Sequence, residues 1–218
     1  MVHRLLASLQ HYDFVELDQT SKKYRLGSKA LVLGQIAANQ LDIKKIALPE
    51  MQKLADISGE SVILTIRDGM TGVAIEVVEG TQAITWKTSL GDRLPLHCGA
   101  SKKVLLAFQT PEFIENYLRN AHLLRLSDQS LMEIDSVRKE LAQIRREGIV
   151  MTSSEVDLGV TAIAAPIFDG HKEIVAGLTI GGPEFRFTPQ VRDGLTELLK
   201  KAAVRISAKL GYEAKSKC

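Results

Sequence analysis

Cysteine is scarce in this chain, and so are the other signals that would place it outside the cell or in a membrane. Only Cys98 and Cys218 occur among 218 residues, far apart in sequence, so no structural disulfide is expected and a reducing compartment fits. No Cys-x-x-Cys or His-x-x-x-His spacing occurs, which leaves zinc without support. Aromatic residues make up only 5%. Net charge is small too. At +2 there is no molecule-wide field to attract nucleic acid, so any such role must come from a local patch. No apolar run approaches the ~20 residues that span a bilayer; Val160 to Phe168 is strand-length and holds Pro166. Arg4 and Leu5-Leu6-Ala7 near the start are followed too soon by Gln10, His11 and Asp13 for a signal peptide. A cytoplasmic protein is expected, with no membrane contact. Repeats and low-complexity stretches are lacking as well.

What is there is an ordinary core composition, 45% hydrophobic, and room for one large domain plus an appendage. The opening segment is the most telling. Met1 to Gln10 reads as an amphipathic helix with Val2, Leu5, Leu6 and Leu9 at helical spacing. Phe14-Val15-Glu16-Leu17 is β-rich, Asp18 to Lys23 is a polar turn, and Tyr24-Arg25-Leu26 returns as a strand closed by Gly27. Helix, strand, basic turn and strand make the back half of a winged helix. Such a piece has too little apolar surface to fold alone, so helices are missing or supplied by something else. Ser28 to Gln40 reads as a further helix, and the boundary with the main domain falls between Asn39 and Lys45.

The main domain begins with a helix over Leu48 to Ser58, with Leu48, Met51, Leu54, Ala55 and Ile57 inward and Pro49 in its first turn. From Ser61 the period changes to two. Ser61 to Arg67 and Gly72 to Val78 are strands joined across Asp68-Gly69-Met70-Thr71, a hairpin signal. Ala83 to Trp86 can form a third strand, and Gly91 to Cys98 reads as a loop leading into a helix through Lys102 to Ala107. Helices follow over Pro111 to Leu118 and Gln129 to Glu147, the latter with Ile134, Val137, Leu141 and Ile144 buried and Gly148 as its stop. Strands return at Ile149 to Met151, Val160 to Ile167 and Glu173 to Ile180, the last two turning at Asp169-Gly170. A final helix runs from Thr188-Pro189 to Leu210-Gly211. This order predicts an α+β domain, an antiparallel sheet flanked by helices on both sides.

Several motifs in register resemble one family, the IclR-type bacterial transcriptional regulators. His3-Arg4-Leu5-Leu6 with Asp13-Phe14-Val15 resembles the end of a recognition helix and the first wing strand, and Tyr24-Arg25-Leu26-Gly27 the strand that closes the wing. Leu94 to Ala107 resembles the effector-pocket loop and helix; Glu155 with Gly159 to Ile167, and Gly177 to Pro183, resemble the signature strands. The resemblance covers essentially the whole chain. It implies a partial winged helix over 1–27, a linker helix over 28–45 and a GAF-like effector-binding domain over 46–218, assembled as a homodimer or homotetramer. Two departures stand out. Lys102 replaces the family's glycine before its lysine, here Lys103. The helices that normally precede the recognition helix are also absent, as in a truncated chain or one read from a late start codon.

The charged cluster His3, Arg4, Lys22, Lys23 and Arg25 has two readings. It is either solvated charge around a helix and hairpin, or a DNA interface with His3 and Arg4 at the major groove and the wing cations on phosphates or in the minor groove. The loop Leu96 to Ser101 leaves Gly99 and Ala100 uncovered just before a helix, where free N–H groups and the dipole suit a carboxylate or phosphate. The alternative is a tight turn packed with small residues; the resemblance favours the ligand. His97 and Cys98 are expected near this pocket but point to opposite sides and form no catalytic dyad. Glu155 reads as a clamp, for the effector or for the Gly99–Ser101 backbone, with Asp157 facing solvent. Thr179 and Gly181 share a sheet face, the cleft or the underside of the last helix. Ala162 lies on the signature strand, and Met70, Trp86, Leu90 and Met151 are candidate apolar walls.

The expectation is therefore a regulator that binds double-stranded operator DNA under control of a small organic-acid effector. The alternative is a small-molecule sensor without autonomous DNA binding, acting through protein contacts. No nucleophile, base and orienter stand together, so an enzyme is not expected, and no metal or cofactor is implied.

Overall fold

The computed structural model describes residues 2–33 and 42–213, and the chain forms two compact units, Met1–Asp42 and Ile43–Cys218. Residues 34–41 of the expected linker helix, together with Met1 and Cys218, lie outside the described residues.

In the first unit, α1 (Val2–His11) leads into a hairpin of β1 (Val15–Leu17) and β2 (Tyr24–Leu26), paired antiparallel with Glu16 opposite Arg25. The reversal after α1 places Asp13 at φ 59° and returns the Phe14 N–H to the Leu9 carbonyl at 2.8 Å. Asp18 shapes the hairpin turn: its Oδ1 accepts the Thr20 and Ser21 N–H groups at 2.8 and 2.9 Å, an Asx turn. Gly27 closes the hairpin because a side chain there would overlap the Asp13 carbonyl. Residues 28–33 are helical. No side chain of α1 is buried, and Val2 and Leu5 remain exposed.

The second unit is a six-stranded antiparallel sheet in the order β5-β4-β3-β8-β7-β6. Its strands are β3 (Ser61–Asp68), β4 (Thr71–Val78), β5 (Arg93–Pro95), β6 (Val150–Ser153), β7 (Val160–Phe168) and β8 (Ile174–Pro183). Its helices are α2 (Ile43–Ser58), α3 (Ala100–Ala107), α4 (Pro111–Asn120), α5 (Ile134–Glu147) and α6 (Pro189–Lys209), with a short 3-10 turn at Glu184–Arg186. Alternation along the central strands sorts their side chains into two cores. Leu178 and Ile180 of β8 and Ile163, Ala165 and Ile167 of β7 pack with Met51 and Leu54 of α2 and Leu199 and Ile206 of α6. Ala162 and Ala164 of β7 face the other way, toward Val104 of α3, Leu118 of α4 and Leu141 of α5. Helices cover both faces, so β7 and β8 are buried almost throughout.

Several local expectations need correction. α2 begins at Ile43 rather than Leu48, so Pro49 sits well inside the helix and Ile43 to Lys45, expected in the linker, form its first turn. The apolar stripe simply continues N-terminally through Ile43, Ile46 and Ala47. Leu48 and Ile57, expected inward, are exposed because the stripe runs through 47, 51, 54 and 55. α5 begins at Ile134, not Gln129, and Ile134 itself is exposed. Ala83 to Trp86 forms no strand, while Arg93 to Pro95, expected as loop, pairs with β4. Pro95 is tolerated there because β5 is an edge strand.

Candidate functional site

The site is organised by the start of α3. Gly99 precedes the helix at φ 74°, and no side chain caps it. The first helical bond runs from the Lys103 N–H to the Gly99 carbonyl at 3.1 Å. The N–H groups of Ala100, Ser101 and Lys102 are therefore left over by helix geometry, with the positive dipole end behind them. Two glycines let α3 approach the sheet. A Cβ on Gly177 would lie 2.9 Å from the Ser101 carbonyl, and one on Gly72 would lie 2.6 Å from Lys102 Cγ. Thr65 then donates its hydroxyl to Ser101 Oγ at 3.1 Å beneath the helix.

Glu155 holds this turn from the opposite side. Its Oε1 accepts the Gly99 N–H at 3.1 Å and its Oε2 accepts from Lys103 Nζ at 2.7 Å. Lys103 is buried and also lies 2.8 Å from Glu140 Oε2, as an ion pair rather than an aligned hydrogen bond. In this structure Glu155 clamps the Gly99 backbone while also lining the cavity.

In front of the α3 N–H groups lies a cavity of about 330 Å³, walled by β7, β8, residues 86–94 and residues 152–157. Trp86, Gly99, Ala100, Ser101, Glu155, Ala162 and Thr179, all expected at the site, come together there. Thr179 faces the cavity because Leu178 and Ile180 point into the opposite core. The residue is 2% exposed, and its buried hydroxyl finds no hydrogen-bond partner among the described residues. Gly181 does not line the cavity: its face is covered by the Trp86 ring, which a Cβ there would overlap. Trp86 is held in place by its Nε1–H, donated to Asp157 Oδ2 at 2.8 Å.

Other expected residues fall elsewhere. The His97 ring is buried away from the cavity. Its Nε2 accepts the Leu124 N–H at 2.9 Å, which leaves Nδ1 as the N–H facing Tyr117 Oη at 2.7 Å. Burial holds the His97 pKa below its ordinary value, in keeping with this neutral role. Cys98 is buried, and burial, reinforced by the Glu155 charge, pushes its thiol up to about 11, so it stays protonated and unreactive. Met70 lines a separate concavity with His97 and Tyr117, and Leu90 is exposed on the irregular 79–92 stretch. Met151 faces away because its neighbour Thr152 faces the cavity. Among the described residues, no group of three His, Cys, Asp or Glu side chains could hold a metal ion.

The sheet, the flanking helices and the glycine-led turn over a cavity match a known domain. The family profile described as bacterial transcriptional regulator IclR C-terminal matches residues 35–208. The chain belongs to the IclR family. KipR of Bacillus subtilis (strain 168), an HTH-type transcriptional regulator, is 37% identical over 211 residues, covering 97% of this chain and 84% of that protein. YiaJ of Escherichia coli (strain K12), a DNA-binding transcriptional repressor, is 31% identical over 97% of this chain and 76% of its own length. The crystal structure of the Thermotoga maritima IclR superposes with a TM-score of 0.75 at 31% identity, covering 96% of this chain and 85% of that one. Pseudomonas aeruginosa HmgR gives 0.81 at 27% identity, over 98% and 85% respectively. This IclR protein is thus a transcription regulator with an effector-binding C-terminal domain, and its relatives are regulators rather than enzymes. No helix among the described residues is long and apolar enough to cross a membrane.

Sequence reasoning missed part of the IclR cavity: Lys102, Thr152, Val160, the 86–94 segment beyond Trp86, and Asp157, which is exposed as expected yet anchors Trp86. Only Lys102 carried a signal, its departure from the family glycine. In the first unit, His3 and Arg4 lie exposed on α1, and Lys22 and Lys23 are exposed at the hairpin turn. Arg25 is paired across the strands with Glu16 through Nε and Nη2 at 3.0 and 2.8 Å. Both partners are exposed, and such a pair contributes only about 0–1 kcal/mol.

Proposed function

We propose that this IclR protein is a cytoplasmic, DNA-binding regulator whose effector is a small organic acid bound in the Thr179 cavity. One carboxylate of the acid sits on the Ala100, Ser101 and Lys102 N–H groups and accepts the Thr179 hydroxyl, with Trp86 and Ala162 as apolar walls. The observation that carries this reading is the uncapped start of α3 facing a buried, unpartnered hydroxyl across one cavity. A carboxylate there gains charge-assisted hydrogen bonds and the helix dipole together. In the same reading, residues 1–27 are the rear portion of a winged helix, with His3 and Arg4 toward base edges and Lys22, Lys23 and Arg25 on phosphates. Residues 28–42 are the linker, and the effector domain begins with α2 at Ile43. Val2, Leu5, Leu26 and Leu31 remain exposed in a small unit, which supports assembly as a homodimer or homotetramer. Effector binding alters DNA affinity by preferring one arrangement of subunits.

The test is a thermal-shift series on the full chain with short carboxylic acids and their uncharged amides. Acids raise the melting temperature and amides do not. A series in which no acid stabilises the protein, or amides do so equally, would refute an anion site at α3.

A further inference from the structure

The proposed carboxylate site leaves a half-buried cation of the cavity unexplained. Lys102 lines the cavity at the third position of α3. Side chains on a helix lean toward its N-terminus, so the Lys102 stem is directed back toward the same end that presents the free N–H groups. The stem is held against the sheet over Gly72, where a Cβ would meet Lys102 Cγ. Lys102 is half-buried, yet among the described residues its ammonium makes no hydrogen bond and has no carboxylate within ion-pair distance. Asp92 and Asp157 attract it only at longer range; Asp92 accepts the Ser89 N–H and Asp157 accepts the Trp86 indole. Of the other cations at the site, Lys103 is held by Glu155 and Glu140, and Arg93 by Asp68 at 2.6 Å. Lys87, on the irregular 79–92 stretch, is exposed to solvent and so lacks the burial that makes Lys102 need a partner. Holding an ammonium partly out of water without a partner is unfavourable, and a bound anion offsets that cost.

We infer that the effector is a short dicarboxylic acid, its first carboxylate on the α3 N–H groups and Thr179, its second paired with the Lys102 ammonium. The inference rests on the carboxylate reading above and adds the second charge and the residue that selects it. The two poles are fixed on one rigid turn, so they select for the separation of the two carboxylates as well as for their charge. A monocarboxylate fills the first pole and leaves Lys102 unpaired. A hydrogen bond between charged partners in such a site corresponds to roughly a 10- to 100-fold difference in affinity.

The experiment titrates the full chain by calorimetry with malonate, succinate and glutarate, each against the monocarboxylate of equal carbon number: propionate, butyrate and valerate. Wild type is compared with Lys102→Met, which keeps the stem over Gly72, and with Lys102→Arg, which keeps the charge. The expected result is that at least one diacid binds about 10- to 100-fold more tightly than its monocarboxylate partner. That ratio collapses toward one in Lys102→Met and is partly restored in Lys102→Arg. Monocarboxylates that bind wild type as tightly as diacids, or a ratio that survives in Lys102→Met, would overturn the dicarboxylate inference and leave the carboxylate site standing. Should no acid of either kind bind wild type, both readings fall together. Retention of the wild-type melting temperature by Lys102→Met separates a lost charge from a lost fold.

Discussion

Removing the Glu155 charge tests whether the effector turn is held by a buried ion pair or merely by packing. Glu155→Gln preserves an acceptor for the Gly99 N–H but leaves Lys103, whose side chain is 2% exposed, without its 2.7 Å partner. Removing one member of a buried pair costs about 3–5 kcal/mol, because the other charge is stranded. Glu140, still 2.8 Å from the ammonium, compensates in part, so the cost falls at the lower end, about 3 kcal/mol. Lys103→Met strands two carboxylates, and its cost is about 3–5 kcal/mol. The double variant replaces the pair with uncharged groups and recovers about 2 kcal/mol relative to the sum of the singles. For a domain of this size the single losses lower the melting temperature by roughly 6–20 °C. The assay is urea unfolding followed by tryptophan fluorescence. Trp86 is the single tryptophan of the chain and lies in the second unit, so the signal reports that unit alone. Strict additivity, a coupling below about 0.5 kcal/mol, would refute the claim that Lys103 and Glu155 act as one element.

Two further outcomes follow from neighbouring groups. His97 is neutral in the fold and its pKa is lowered, chiefly by burial, so the unfolded chain takes up its proton first as pH falls. Its contribution to stability is full above the ordinary value of 6.5 and is lost as pH falls from there through the lower, folded value. Wild type should lose stability over that window, measured as the urea midpoint, while His97→Gln loses less; parallel profiles would remove His97 as the cause. Gly181→Ala pushes a Cβ into the Trp86 ring, so its emission should shift to the red and carboxylate affinity should fall about tenfold. An unchanged spectrum would mean that the ring is not seated there.

Much of the fold was legible because periodicity is a local property. The 2-residue alternation of Ser61–Arg67 and Gly72–Val78 and the Asp68-Gly69 turn define the β3–β4 hairpin, and Thr188-Pro189 marks the start of α6. The pocket loop was legible for a different reason: small residues before a helix have few roles besides close packing and anion binding. The errors cluster where neighbours decide. Leu48 and Ile57 are apolar but fall off the stripe that α2 turns toward α6. Arg93 to Pro95 becomes a strand only because β4 offers an unpaired edge.

From its residues alone this chain declares an α+β domain behind a small basic hairpin unit, its family, and a glycine-led turn suited to an anion. Folding decides the rest, because the cavity is made by residues far apart in sequence. The sheet's alternation chooses Thr179 over Leu178, and Thr152 over Met151, to face it. A carboxylate from residue 155 must reach residue 99 before the turn is held open. His97 and Cys98, adjacent to the turn, belong instead to the protein's interior, because a one-residue step along a chain is enough to point a side chain elsewhere.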